Sequence, residues 1–293
     1  MATNQQRREA AKRKLERQLV RRAERAKRRK IVGAGVVGGV VLIVAGLVVW
    51  IVNSGGNGDQ AAATPPSSSN PPMPTVKNIP SERAAMPTRP KALPNPATCA
   101  YPEDKTGQAP AKKPPVPDGK NVSSSGTVTV TMKTTQGDIP MTLDRALAPC
   151  TVQSFVSLAK AGFYTDTICH RLGVDDQLQM LQCGDPTAKG DVSQDGRGGP
   201  GYTVPDEVVD TTKYGRGLLA MANTGQPNSG GSQFFMLYGN AQLQPQYTVF
   251  GSIADSGLQV LDKIAKAGLG SVGQDGVTGE PKEPVKFTSV TVS

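Results

Sequence analysis

Histidine is nearly absent from this 293-residue chain, and metal-ligand spacing is missing altogether. There is one histidine, His170, and four cysteines without a C-x-x-C pair, so a Cys2His2 zinc site is excluded. A single histidine also leaves only one candidate base for a Ser-His-Asp or Cys-His nucleophile, and no G-x-S-x-G elbow is present. Cys169 adjoins His170, yet neighbours along a strand point to opposite faces and are badly placed to exchange a proton. His170 is therefore read as a structural, hydrogen-bonded residue. The run Gly196-Arg197-Gly198-Gly199-Pro200-Gly201 lacks the Gly-Lys-Ser/Thr of a phosphate-binding loop, and reads as a tight loop with a permissive backbone. No metal or organic cofactor is expected.

The formal charge of +9 is not spread along the chain. Residues 1–30 hold 13 basic and 3 acidic side chains, net +10, whereas from Thr127 onward there are 12 basic and 16 acidic, net −4. The basicity belongs to a tail, and a nucleic-acid partner for the body is disfavoured. Residues 31–52 carry no charge at all. As a helix, 22 residues at about 1.5 Å each span roughly 33 Å, enough to cross a hydrocarbon core of about 30 Å. A cleaved signal peptide is the rival reading, but its apolar stretch is usually about 7–15 residues. A retained signal anchor is favoured, with Gly35 and Gly39 in G-x-x-x-G spacing. Basic residues on the N-terminal side predict a cytoplasmic tail, able to lie on an anionic leaflet, and a single-pass topology with the rest outside.

Fifteen of the 24 prolines fall between residues 53 and 118. Such a segment buries too little apolar surface to offset chain entropy. Residues 53–120 are therefore expected to be a disordered linker, reaching at most about 200 Å if extended as polyproline II. The stretch 121–293 is the part able to form a core. Val128, Val130 and Met132 alternate with polar residues, as do Ile139, Met141 and Leu143 across Gln136-Gly137, which predicts an antiparallel hairpin. Val152, Phe155, Val156 and Ala159 recur at helical spacing over 151–161. Short strands are predicted at 167–172, 177–182, 217–222, 233–237 and 249–253, then a helix over 258–267 and a strand over 285–292. Many short strands with two isolated helices favour a mainly β fold, a closed eight-stranded antiparallel barrel capped by two helices.

Four cysteines on the outer side of a membrane read as disulfides, with three connectivities open. Cys169–Cys183 is favoured because the two predicted strands carrying them can pair as a hairpin. Cys99–Cys150 would then tie the linker's end to the first helix. Four free, buried thiols are the competing reading.

Five segments carry the remaining information: Cys169-His170-Arg171-Leu172, Leu178 to Asp185 (LQMLQCGD), Leu219 to Gly225 (LAMANTG), Asn228 to Phe235 (NSGGSQFF) and Tyr247 to Gly251 (YTVFG). In this order and spacing they resemble the cyclophilin family of peptidyl-prolyl isomerases, over about residues 126–293. The resemblance implies cis/trans isomerisation of X–Pro bonds in polypeptide clients. It implies Arg171 as a donor to the twisted amide, with Gln182 holding its guanidinium. Phe235, Met180 and Leu243 would line a proline pocket, Ala222, Asn223 and Gln233 would hold the substrate's peptide groups, and Tyr247 would close the rim. Relatives often carry Phe where this chain has Gln179, Trp where it has Gln242 and His where it has Tyr247. The first change is expected to weaken the pocket's hydrophobicity, and the second to leave only weak cyclosporin binding. Both also favour the alternative of a proline-binding chaperone with little or no turnover.

Overall fold

In the computed structural model, which describes residues 73–105 and 110–293, the period-two pattern at the start of the domain becomes a hairpin. Strands β1 (Thr127–Thr134) and β2 (Gly137–Asp144) pair antiparallel with Val130 opposite Met141. Helix α1 (Pro149–Lys160) follows, burying Val152, Phe155, Leu158 and Ala159. Its N-cap, Ala148, supplies no side-chain acceptor. The carboxylate of Glu207 does so instead, accepting from the backbone N–H of Cys150 (3.0 Å) and Thr151 (2.8 Å), two amides the helix itself leaves unpaired. Strands β3 (Ile168–Asp175), β4 (Leu178–Asp185), β5 (Leu218–Met221), β6 (Phe234–Ala241) and β7 (Val249–Ile253) come next. Helix α2 (Asp255–Ala267), β8 (Thr278–Gly279) and β9 (Phe287–Val292) complete the chain.

The mainly β architecture with two helices agrees with the expectation, but the sheet differs from a closed eight-stranded barrel. Among the described residues nine strands run in the order β8-β3-β4-β6-β5-β7-β2-β1-β9, with β8 and β9 as free ends of the ladder. Between β9 and β3 there is a lone bridge, Ile168 to Lys286, and backbone bonds such as Cys169 N–H to Val285 O (2.9 Å). The additional strand is β8, whose two residues pair with Leu172 and Gly173 of β3. Two residues are too few to show any periodicity.

Strands β4, β5 and β6 are buried on both faces, and alternation sorts their side chains between two clusters. Leu181, Leu219, Met221, Phe234, Met236 and Tyr238 face the main core with Phe155, Phe250 and Phe287. Met180, Leu218, Ala220, Phe235 and Leu237 face the other way and pack with Leu147, Val209 and Tyr214. This second cluster underlies the candidate site.

The boundary expected at 121 is displaced. Residues 73–120, in their described parts, do not behave as a free linker: the chain from Asn70 to Ser293 is one unit, and the segment wraps the sheet as a strap. Arg83 donates to Ile253 O (2.6 Å) and pairs with Asp255 (2.7 Å). The Ala84 N–H bonds Arg216 O (2.9 Å), and Ala84 and Met86 pack against the second cluster. Arg89 donates to Leu147 O and Glu207 O, both at 2.7 Å. Cys99 is disulfide-bonded to Cys150, and Tyr101 donates to Cys150 O (2.8 Å). The basic tail 1–30, the uncharged run 31–52 with its Gly35/Gly39 pair, and the segment 53–72 lie outside the described residues. Among the described residues no helix is long and apolar enough to cross a membrane.

Candidate active site

The bulge at His170 in β3 sets the geometry of the site. Cys169 lies opposite Cys183, and Arg171 opposite Gln182, so one residue of β3 is unmatched by β4 between those pairs. The Cys169–Cys183 disulfide lies beside it, and with Cys99–Cys150 it uses all four cysteines. His170 is buried, and neither ring nitrogen has a hydrogen-bond partner among the described residues. This corrects the hydrogen-bonded role expected for it. Burial is the main cause holding its pKa below the usual imidazole value, against the opposing pull of Asp185 and Asp195.

Arg171, Met180, Gln182, Ala222, Asn223, Phe235, Leu243 and Tyr247 surround one cavity of about 140 Å³, to which Leu178 adds a wall the sequence did not suggest. The Phe235 and Tyr247 rings meet edge to face, 5.4 Å apart at 86°. Tyr247 is fixed through its backbone: Tyr214 donates its hydroxyl to Tyr247 O (2.7 Å) and accepts from Tyr247 N–H (2.9 Å). Asn223 donates to Gln246 O (2.9 Å), holding the segment before β7 against the one after β5.

Two sequence expectations are corrected at this site. Gln182 does not hold the guanidinium. It donates to the Gln233 side-chain oxygen (2.9 Å), and Gln233 donates to Gly198 O (2.9 Å). Arg171 is held from the opposite side, Nε donating to Thr278 Oγ1 (3.0 Å) and Nη2 to Asp275 Oδ2 (3.4 Å). Gln179, expected to make the pocket more polar, is absent from its lining. Its amide is fully buried against the strap, donating to Asn78 O (2.5 Å) and accepting from Asn240 N–H (2.9 Å). The pocket therefore keeps its apolar wall.

A larger cavity of about 390 Å³ shares Gln182, Ala222 and Asn223 with the first, and adds Gln233 and the glycine-rich loop. That loop is organised by Asp185, whose carboxylate accepts from Thr187 N–H (2.7 Å), Thr187 Oγ1 (2.6 Å), Gly196 N–H (2.6 Å) and Arg197 N–H (3.1 Å). A Cβ on Gly198 would come within 2.1 Å of an Asp185 oxygen, so glycine is required there. Burial pushes the Asp185 carboxyl up, but the hydrogen bonds from Thr187, Gly198 and Gly196 outweigh it and hold the group below its usual range. A depressed folded pKa means that this stabilisation is complete above the ordinary carboxylate range and is lost as pH falls through the lowered value. Asp185→Ala is expected to cost roughly 2–4 kcal/mol, from several charge-assisted bonds lost in a buried site. Urea denaturation would measure that loss, and hydrogen exchange at the Gly196 and Arg197 amides should quicken. Unchanged exchange would contradict the role given to Asp185.

Known proteins resemble this chain over the same region. A family model described as cyclophilin type peptidyl-prolyl cis-trans isomerase/CLD matches residues 129–292. A "Probable peptidyl-prolyl cis-trans isomerase B" of Mycobacterium leprae is 46% identical over 190 residues, 61% of this chain and 62% of the relative. Its namesake in Mycobacterium tuberculosis is 47% identical over 208 residues, 66% of this chain and 63% of the relative. The chain thus spans a little under two thirds of the length of these relatives. A solved Cryptosporidium parvum cyclophilin type isomerase has a TM-score of 0.48 and 27% identity, covering 57% of this chain and 98% of its own. With more than half of the sequence matched by the family model, and the motif residues gathered around one pocket, the chain belongs to the cyclophilin-type peptidyl-prolyl cis-trans isomerase family.

Proposed function

We propose that the chain accelerates cis/trans isomerisation of X–Pro bonds in polypeptides, without covalent chemistry. Rotation about a peptide bond faces a barrier of about 18–20 kcal/mol because resonance gives it partial double-bond character. A catalyst must favour the twisted amide, whose nitrogen becomes pyramidal and gains a lone pair able to accept a hydrogen bond. The observation carrying this reading is that Arg171 lines the same pocket as the apolar side chains of Met180, Phe235 and Leu243 and the ring of Tyr247. The pyrrolidine ring occupies that pocket, Arg171 donates to the prolyl nitrogen, and Asn223, Gln233 and the Ala222 backbone hold the flanking peptide groups. The larger cavity beside Gln182 takes side chains of the extended client. Since Gln179 faces the strap, it does not favour the non-catalytic chaperone alternative.

In this reading the domain works outside the membrane on newly exported chains, anchored by residues 31–52 with residues 1–30 in the cytoplasm. Two disulfides fit an oxidising compartment, and the basic stretch before an uncharged run fits the topology.

The test is the relaxation of a short X–Pro peptide, which takes about 10–100 s unaided at 25 °C. With the protein added, the rate should rise in proportion to its concentration. Saturable binding of the peptide at an unchanged rate would overturn the catalytic reading and leave the chaperone one.

A further inference from the structure

The loop before β8 is built around one carboxylate. Asp275 Oδ1 accepts from the backbone N–H groups of Val277 (3.1 Å) and Thr278 (2.8 Å), closing an Asx-type turn. Its other oxygen, Oδ2, accepts from the Thr278 hydroxyl at 2.6 Å. That hydroxyl in turn accepts from Arg171 Nε at 3.0 Å, and Arg171 Nη2 reaches Asp275 Oδ2 at 3.4 Å. One Thr hydrogen and one lone pair thus complete a relay from guanidinium to carboxylate. β8 pairs with β3 with Thr278 opposite Gly173, which places the relay directly behind the arginine. Arg171 is 40% exposed, so packing alone does not fix its long side chain, and an untethered arginine loses considerable rotamer freedom when it must act from one position.

We propose that Asp275, acting through Thr278, is a positioning residue for isomerisation: it fixes the plane of the Arg171 guanidinium from behind, leaving the remainder of the fork for the substrate. This role rests on the isomerase reading above, but it does not coincide with it. The family resemblance implies Gln182 as the support, but its amide is engaged with Gln233. Asp275 touches neither the apolar pocket nor the larger cavity, so its influence on the reaction passes through the arginine.

A double-mutant cycle on the full chain tests this. Asp275→Ala is expected to lower kcat about tenfold while KM stays within about twofold, and Thr278→Val should act in the same direction. In an Arg171→Ala background, Asp275→Ala should bring no further loss. Equal losses in both backgrounds would mean a merely structural role and overturn the proposal, as would wild-type kcat in Asp275→Ala and Thr278→Val alike. The Arg171 Nε–H resonance gives a readout independent of turnover: it should shift in both variants. A resonance unmoved by either would overturn the positioning role alone, even with the isomerase activity intact, whereas a wild-type protein without acceleration would overturn both.

Discussion

Arg171→Ala is expected to lower kcat/KM for an X–Pro peptide by about 10²–10³-fold, the range found on removing one donor aimed at charge that develops only in the transition state. The ground-state amide nitrogen is conjugated and accepts no hydrogen bond, so the interaction is absent until the bond twists. The loss should therefore fall mostly on kcat, with KM little changed. Stability should hardly change, because the side chain is 40% exposed and its partner Asp275 is 43% exposed. Arg171→Lys keeps the charge but lacks the planar fork that engages Thr278 and Asp275 together. It is expected to recover less than a tenth of the wild-type rate. An alanine variant as fast as the wild type, with its fold intact, would remove the arginine from the mechanism.

The second large effect concerns the strap. A fragment starting at residue 121, where composition alone would start the domain, should melt about 10–20 °C below one starting at residue 73. Loss of the Cys99–Cys150 link removes about 2–5 kcal/mol. Further losses come from Arg83 and Arg89, which satisfy carbonyl groups of Ile253, Leu147 and Glu207, and from Gln179, whose amide exchanges the Asn78 carbonyl for water. In a domain of this size each kcal/mol moves Tm by about 2–4 °C. Ala84 and Met86 also back the cluster that holds Met180 and Phe235, so the shorter fragment should lose activity below its melting point too. Equal melting temperatures for the two fragments, measured by calorimetry, would show the strap to be energetically idle.

The β1–β2 hairpin and helix α1 were legible because periods of two and 3.6 persist there for at least two turns or pleats. So was the gathering of Arg171, Met180, Gln182, Ala222, Asn223, Phe235, Leu243 and Tyr247, through a resemblance carried by their spacing. The strap was not. Proline-rich composition says that a segment cannot form a core of its own, but not that it cannot lie on another. This one docks through isolated contacts with no repeat, such as the single bridges Ala97–Val122 and Glu103–Tyr202. The same physics hid Asp275 and Thr278, whose partnership with Arg171 spans about a hundred residues and leaves no local pattern. Gln179 was misread although the rule was at hand. Leu178 and Met180 on either side of it both line the pocket, so alternation turns Gln179 to the opposite face, against the strap.

Adjacent rings on β6 stand back to back: Phe234 in the main core, stacked with Phe287 and edge-on to Phe155, and Phe235 on the other face, lining the pocket beside Arg171. They share one stretch of backbone, so a shift of the strand that moves one ring carries the other with it. Selection for altered preference among the proposed clients therefore has a route that never touches the groove: resizing an interior neighbour of Phe234 would reshape, from behind, the pocket that Phe235 lines.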